Sequence, residues 1–247
     1  MSRILAVLMV FCMSLSAVEQ IYANFDVAAK NSSELSIKGF GIVKRINVDV
    51  SSRVKKGDVL IELENESEKI ALEAAKNDLE LANLAKEHAK EVLQRFKKVK
   101  GVTSAQNYQD VEFEFKRANL AAQKAQIAVK NANEMLENKL LKAPYDGVIS
   151  QKKVEVGEGV SGVAQKLLSI FSYPEVKLVL SFDEKFKDMV KIGSEFRYKI
   201  DGDSEERVGK IELIYPTVDL KTRKIYAEVY TKDITVGLFG EGYITVK

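Results

Sequence analysis

The chain has 247 residues, 38 Lys+Arg against 36 Asp+Glu for a formal net charge of +2, and 46% hydrophobic content. That is the profile of a globular chain, neither disordered nor polytopic, and near-neutrality without a basic block argues against nucleic acid as a partner. One His (His88), one Cys (Cys12) and no Trp exclude Ser-His-Asp and Cys-His catalysis and the multi-ligand zinc and haem sites. No catalytic residue, metal ligand or cofactor is therefore expected, and His88, in a Lys/Glu-rich run, reads as a solvated helix residue.

Residues 1–17 have the layout of an export signal. Arg3 supplies the positive start, Ile4 to Val18 is almost wholly apolar, and Ser16-Ala17 offers small residues for cleavage. The apolar run falls short of the roughly 20 residues that span a bilayer. Cleavage after Ala17 would leave an exported chain without thiols, and an uncleaved anchor is the alternative reading. Phe11, directly before Cys12, argues against a lipoprotein signal. Residues 18–38 are expected to contribute one strand, Ile21–Val27, to a barrel formed by the end of the chain.

Residues 39–64 and 142–173 contain an internal repeat at an offset of 106. Gly41 matches Gly147, Ile42 matches Val148, Val43 matches Ile149, Val48 matches Val154, Val50 matches Val156 and Val54 matches Val160. Both copies are β-branched runs punctuated by glycine, the pattern of short strands and tight turns. Each half is too small to bury a core alone, so the two are expected to pack together as one β sandwich.

Between them, residues 65–141 contain no Pro and a single Gly, Gly101, among Ala, Glu, Lys and Leu. Leu72, Ala75, Leu79, Ala82, Lys86, Ala89, Leu93 and Phe96 alternate at spacings of three and four. The rhythm returns at Tyr108, Val111, Phe115, Ala118, Ala122, Ala125, Val129, Ala132 and Leu136. Sustained spacing of this kind predicts a coiled coil, with Lys86 as the one interruption. Gly101 and the caps Thr103 and Ser104 mark a reversal. The expected element is an antiparallel helical hairpin of two arms, each about 50 Å long at 1.5 Å per residue.

After Pro174, residues 174–247 return to strands: Val176–Phe182, Glu195–Ile200, Val208–Tyr215, Lys224–Tyr230 and Gly242–Val246, with a short helix over Asp183–Lys191. Five short strands, a helix and the N-terminal strand predict a small closed barrel.

The two half-motifs, Val54–Leu60 and Ala143–Ile149, flanking a coiled-coil hairpin resemble the periplasmic adaptors, or membrane fusion proteins, of Gram-negative tripartite efflux pumps (the HlyD-like family). The tail segments Pro216–Arg223 and Leu238–Val246 are similar to that family's barrel motifs. The resemblance implies a mixed α and β fold: a split lipoyl-like, barrel-sandwich hybrid domain with an inserted antiparallel coiled-coil hairpin, plus a small β-barrel domain. It also implies a place in the periplasm, between an inner-membrane transporter and a TolC-like outer-membrane channel, and self-association into a hexameric funnel. Resistance–nodulation–division pumps are the favoured class, with an ABC exporter or type I secretion system as the alternative. The last barrel strand ends the chain, so no further membrane-proximal domain is expected.

In that family the hairpin tip meets the channel through an Arg, an apolar residue four later and a Ser past the turn, and the matching residues here are Arg95, Val99 and Ser104. Val99 stands where Leu is usual, the turn is about two residues shorter, and Ser51 stands where the first half-motif usually has Gly. The other reading of the tip is local. Arg95, Lys97, Lys98 and Lys100 would then simply suit the negative end of the first helix, and Ser104 would be an N-cap. A lipoyl or biotinyl carrier would need its modified lysine on a tight β turn. The nearest candidate, Lys69, opens a long helix instead.

Overall fold

The structure, a computed structural model, describes residues 19–98 and 104–246. The export signal with Cys12, and Val99, Gly101 and Thr103 at the hairpin turn, lie outside the described residues. In chain order come strands β1 (Glu19–Ala29), β2 (Ser32–Leu35), β3 (Phe40–Ile46), β4 (Arg53–Val54) and β5 (Val59–Leu63). Two helices follow, α1 (Glu66–Lys98) and α2 (Ala105–Glu137), then β6 (Leu140–Lys142), β7 (Gly147–Lys152), β8 (Gly159–Ser161) and β9 (Leu168–Ser172). The chain closes with β10 (Glu175–Asp183), β11 (Glu195–Ile200), β12 (Glu206–Lys210), β13 (Leu213–Val218), β14 (Lys224–Lys232) and β15 (Phe239–Val246). These elements divide into two compact units, residues 32–171 and the two flanks together.

The flanking unit is a seven-stranded antiparallel sheet in the order β12-β11-β15-β1-β10-β14-β13. The N-terminal strand sits in its middle, paired on one side with β15 and on the other with β10. Alternation decides which face goes inward: Ile21, Ala23, Phe25 and Val27 of β1 are buried while Tyr22, Asn24 and Asp26 are exposed. Val176, Leu178, Leu180 and Phe182 of β10 do the same. The aromatic centre needs glycine opposite it. A Cβ on Gly240 would stand 2.2 Å from the Lys199 carbonyl oxygen and 2.6 Å from the Phe25 ring.

Two expectations for this unit are corrected. The run Val208–Tyr215 is two strands, because the chain changes partners at Ile211 and Glu212. The Ile211 N–H goes to the Ser194 carbonyl and the Glu212 N–H to the Glu228 carbonyl, and Ile211 itself is buried. This bend joins the two edge strands of the sheet and brings its ends together. The helix over Asp183–Lys191 is a single 3-10 turn, Glu184–Phe186, with Asp183 as its N-cap. A segment this short does not repay helix nucleation, and it tucks Phe186 and Met189 onto the core instead.

In the central unit the repeat becomes an exchange of strands. β3 of the first half pairs with β8 of the second, Gly41 opposite Val160 and Ile42 opposite Gly159. β4 of the first half pairs with β7 of the second, Val54 opposite Gly147 and Arg53 opposite Val148. These two pairings are the same pairing, transposed by the offset of the repeat. Each half keeps one pairing of its own, β3 with β5 and β7 with β9, and the exchanged strands complete both sheets, so the two halves contribute to one core of Val43, Leu60, Leu63, Ile149, Leu167 and their neighbours. Two four-stranded sheets result, β2-β9-β7-β4 and β6-β5-β3-β8.

Candidate functional site: the helical hairpin

Each helix has 33 residues, about 50 Å of α-helix. Burial follows the expected seam. Leu72, Ala89 and Leu93 of α1 and Ala122 of α2 are buried, and the other seam positions, Lys86 included, are half-buried. A two-helix contact shields only one stripe of each helix, so partial burial is what such a seam can achieve.

The root of the hairpin is fixed to the sandwich by backbone and side chain together. Leu63 donates its N–H to the Lys139 carbonyl at 2.9 Å, and Gly39 to the Asn138 carbonyl at 2.9 Å. The Lys139 ammonium donates to the Phe40 carbonyl at 2.8 Å and lies 3.2 Å from the Glu68 carboxylate. Burial pushes the Glu68 carboxyl up. Hydrogen bonds from Ser67, its own N–H and Lys139 more than offset this and leave it below the usual carboxylate range. Lys69 lies on the first turn of α1, 3.9 Å from both Glu62 and Glu66, and not on a β turn. The position where a carrier domain would display its lysine is where this chain inserts its hairpin.

At the far end, α1 finishes with Arg95, Lys97 and Lys98 in its last turn, and α2 has no acidic residue in its first. Arg95 is exposed. Ser104 is exposed and caps α2, its Oγ accepting from the Asn107 N–H at 3.2 Å. That bond uses a lone pair of the hydroxyl and leaves its proton free to donate. Of the three expected tip residues, the structure places Arg95 and Ser104 at the same end of the hairpin, and Val99 lies outside the described residues. The described part of this end is a positively charged surface with hydrogen-bond donors, suited to acceptors and carboxylates on a partner.

One feature of the hairpin is absent from the sequence-based expectations. Ile70, Leu81, Leu84, Phe113, Leu120 and Ile127 are all at least 60% exposed. Phe113, Leu120 and Ile127 recur at seven-residue intervals, a signal present in the sequence, but a surface stripe gains meaning only once the seam is located.

A barrel-sandwich hybrid interrupted by a coiled-coil hairpin, with a β-barrel unit built from both chain ends, is the fold of membrane fusion proteins. The profile of the CzcB-like barrel-sandwich hybrid domain matches residues 33–170, and the chain belongs to that family. It is 25% identical over 198 residues to the cobalt-zinc-cadmium resistance protein CzcB of Cupriavidus metallidurans, covering 76% of this chain and 37% of that one. It is 25% identical over 236 residues to the multidrug export protein EmrA of Haemophilus influenzae, covering 74% of this chain and 60% of that one. The chain thus spans less than two thirds of the length of these relatives. Among solved structures it resembles a MacA-MexA chimeric protein carrying the Pseudomonas aeruginosa MexA α-hairpin domain, with a TM-score of 0.67, 20% identity and coverage of 93% and 82%. It also resembles the membrane fusion protein Spr0693 of Streptococcus pneumoniae, with a TM-score of 0.67, 15% identity and coverage of 92% and 99%.

Proposed function

We propose that this chain is the periplasmic adaptor of a tripartite efflux assembly, performing no bond chemistry and joining an inner-membrane transporter of the resistance–nodulation–division type to a TolC-like outer-membrane channel. The observation that supports this most is the placement of the hairpin. It adds two 33-residue helices to a sandwich whose core is already complete without them, so its length serves reach. In this reading the tip, with Arg95, Val99 and Ser104, meets the channel, the barrel and sandwich units dock on the transporter, and copies of the chain, six in number by the family resemblance, surround a conduit. The two relatives, one a metal-resistance protein and the other a multidrug export protein, fit an adaptor whose cargo is chosen by the transporter. The export signal at residues 1–17 delivers it to the periplasm.

The test is cysteine crosslinking from position 95 or 104 to the outer-membrane channel encoded with the chain, in a Cys12→Ser background. A crosslinked product that disappears when the channel is deleted supports the reading. Failure of both positions to reach any channel, in cells where export depends on this chain, overturns the tip assignment.

A further inference from the structure

A hollow of about 510 Å³ lies on the outer face of the barrel unit, where β11, β15 and β1 run side by side. Strand alternation decides what surrounds it. β15 turns Gly240 and Gly242 toward the core and Phe239, Glu241 and Tyr243 outward. Opposite these three on β1 stand Asp26, Asn24 and Tyr22, in that order. Tyr22 and Phe239 line the hollow together with Glu241, Lys199 and the turn 201–203 that follows β11. The Asp201 N–H donates to the Phe239 carbonyl at 3.0 Å and ties that turn to β15.

Folding does not account for the rings on this face. The barrel core has its own, Phe25, Phe196 and Tyr198, all buried. Outside, Phe239 is 58% and Tyr22 53% exposed, and Tyr22 meets Tyr243 edge to face with ring centroids 5.9 Å apart. Single apolar side chains scattered over a surface mean little, but three rings gathered in one patch are not scatter. The charge around them is equally uneven. The ion pairs nearby join Arg197 to Glu195 and Arg207 to Asp203 and Glu205, and among the described residues Asp26, Asp201 and Glu241 enter none. Glu241 accepts from the Tyr22 hydroxyl at 2.9 Å, a neutral donor that leaves its charge in place. Lys199 stands between Glu241 on β15 and Glu206 on β12, so the carboxylates keep the excess.

An aromatic ring presents the negative face of its π-system, and ionised carboxylates beside it add to that field, so the hollow favours positive charge carried on an apolar body. Among the described residues no three carboxylate, His or Cys side chains converge closely enough to hold a metal ion, which directs the site toward a larger, organic cation. We propose that this hollow binds a small organic cation, an amine or quaternary ammonium on an aromatic or aliphatic body. Tyr22 and Phe239 pack against the ligand, and Glu241 and Asp201 supply the opposing charge. The volume is that of a site for a drug-sized molecule. Binding here belongs to the barrel unit alone and does not depend on what the hairpin meets, so it goes beyond the adaptor reading and can fail without it.

The probe is ethidium, a fluorescent aromatic cation, titrated with the purified full-length chain and followed by anisotropy. Fluorescein, an anion of similar size, is titrated in parallel. The expected result is saturable binding of ethidium that weakens with added salt, and none of fluorescein. Phe239→Ala should weaken ethidium by about tenfold and Glu241→Gln by about fivefold. Glutamine still accepts from Tyr22, so the second change removes charge and keeps the wall. Glu73→Gln, which removes the same charge from α1, should change nothing. Phe239 and Glu241 are exposed, and thermal melting checks that both variants keep the fold. Unchanged affinity in either barrel variant would place ethidium elsewhere on the chain and overturn the proposal. So would fluorescein bound as tightly as ethidium, or no saturation at millimolar ethidium. Tighter, salt-independent binding of a neutral oligosaccharide such as chitotriose, the other class of ligand that stacks on exposed rings, would overturn it too.

Discussion

Ser51 and Gly157 occupy equivalent turns of the two sandwich halves and adopt the same left-handed backbone, with φ of 72° and 89°. Their hydrogen bonds are equivalent too. Ser51 donates its N–H to the Ile149 carbonyl at 2.8 Å, and Gly157 to the Val43 carbonyl at 2.9 Å. The structure keeps the geometry of the repeat where the sequence departs from it, and the departure has an energetic consequence. An L-residue in this conformation costs about 1–2 kcal/mol, while a glycine loses somewhat more chain entropy on folding. Ser51 is exposed, so its side chain contributes little packing. Ser51→Gly should therefore raise stability by about 0.5–1 kcal/mol in denaturant unfolding, whereas Gly157→Ala should lower it by a similar or larger amount.

Among the described residues of the barrel unit, one carboxylate is buried, Glu228 on strand β14. It accepts hydrogen bonds from Lys177 Nζ at 2.6 Å, Tyr215 Oη at 2.7 Å and Tyr230 Oη at 3.0 Å. Burial drives its pKa up, but these three donors together hold it below the ordinary carboxylate value. A carboxylate with a depressed folded pKa stabilises fully above its unfolded pKa of about 4.3, and the benefit is lost as pH falls through the folded value. Glu228→Gln should thus cost about 2 kcal/mol at neutral pH and flatten the loss of stability below about pH 4. Thermal unfolding followed across pH checks both effects. Parallel acid limbs for the two proteins would remove Glu228 from the account.

Along the hairpin seam, Ala122 and Lys86 make opposite predictions. Ala122 is buried between the helices, so Ala122→Asp places an unpaired charge there and should cost about 3 kcal/mol or more. Lys86 is half-buried on the same seam, where it is the one charged side chain in an otherwise apolar row. Lys86→Met keeps the stem and removes the charge, and should gain about 1 kcal/mol. Melting followed by helical circular dichroism distinguishes the two directions.

The legible parts of this fold are those written in local periodicity. Every seam position from Leu72 to Phe96 and from Tyr108 to Leu136 is at least half-buried, because a 3-4 rhythm over nine turns admits one solution. Ile21 to Val27 was likewise legible as a strand of the barrel, and its alternation is the one the structure buries on one face. What stayed hidden depends on contacts between distant residues. The change of partners at Ile211 follows from Ser194 and Glu228, neither of which is close in sequence to the bend. The Glu228 cluster draws on three strands, and exposed-looking Tyr215 and Lys177 give no sign of it in the sequence. That the two halves share one sandwich was implied by the repeat, but the exchange of strands between them, with Gly41 opposite Val160 and Val54 opposite Gly147, is a property of the sheet. At the tip, the residue pattern singled out Arg95 and Ser104 and already read Ser104 as an N-cap, and the structure adds its partner, the Asn107 N–H.

That bond separates two roles at the tip. If Ser104 matters only as a cap, Ser104→Asp should serve at least as well, since aspartate is an equally good N-cap and its charge suits the start of α2. If the positive tip meets acceptors on a channel, the same change places a carboxylate against them. Ser104→Asp should then leave hairpin melting unchanged or slightly raised while reducing export at least tenfold, and Arg95→Asp should do the same. Ser104→Ala provides the converse, losing about 1 kcal/mol of helix stability with a smaller effect on export. Export that follows the melting temperature across the three variants would reduce the tip to helix capping. Export that follows charge would assign it to partner contact.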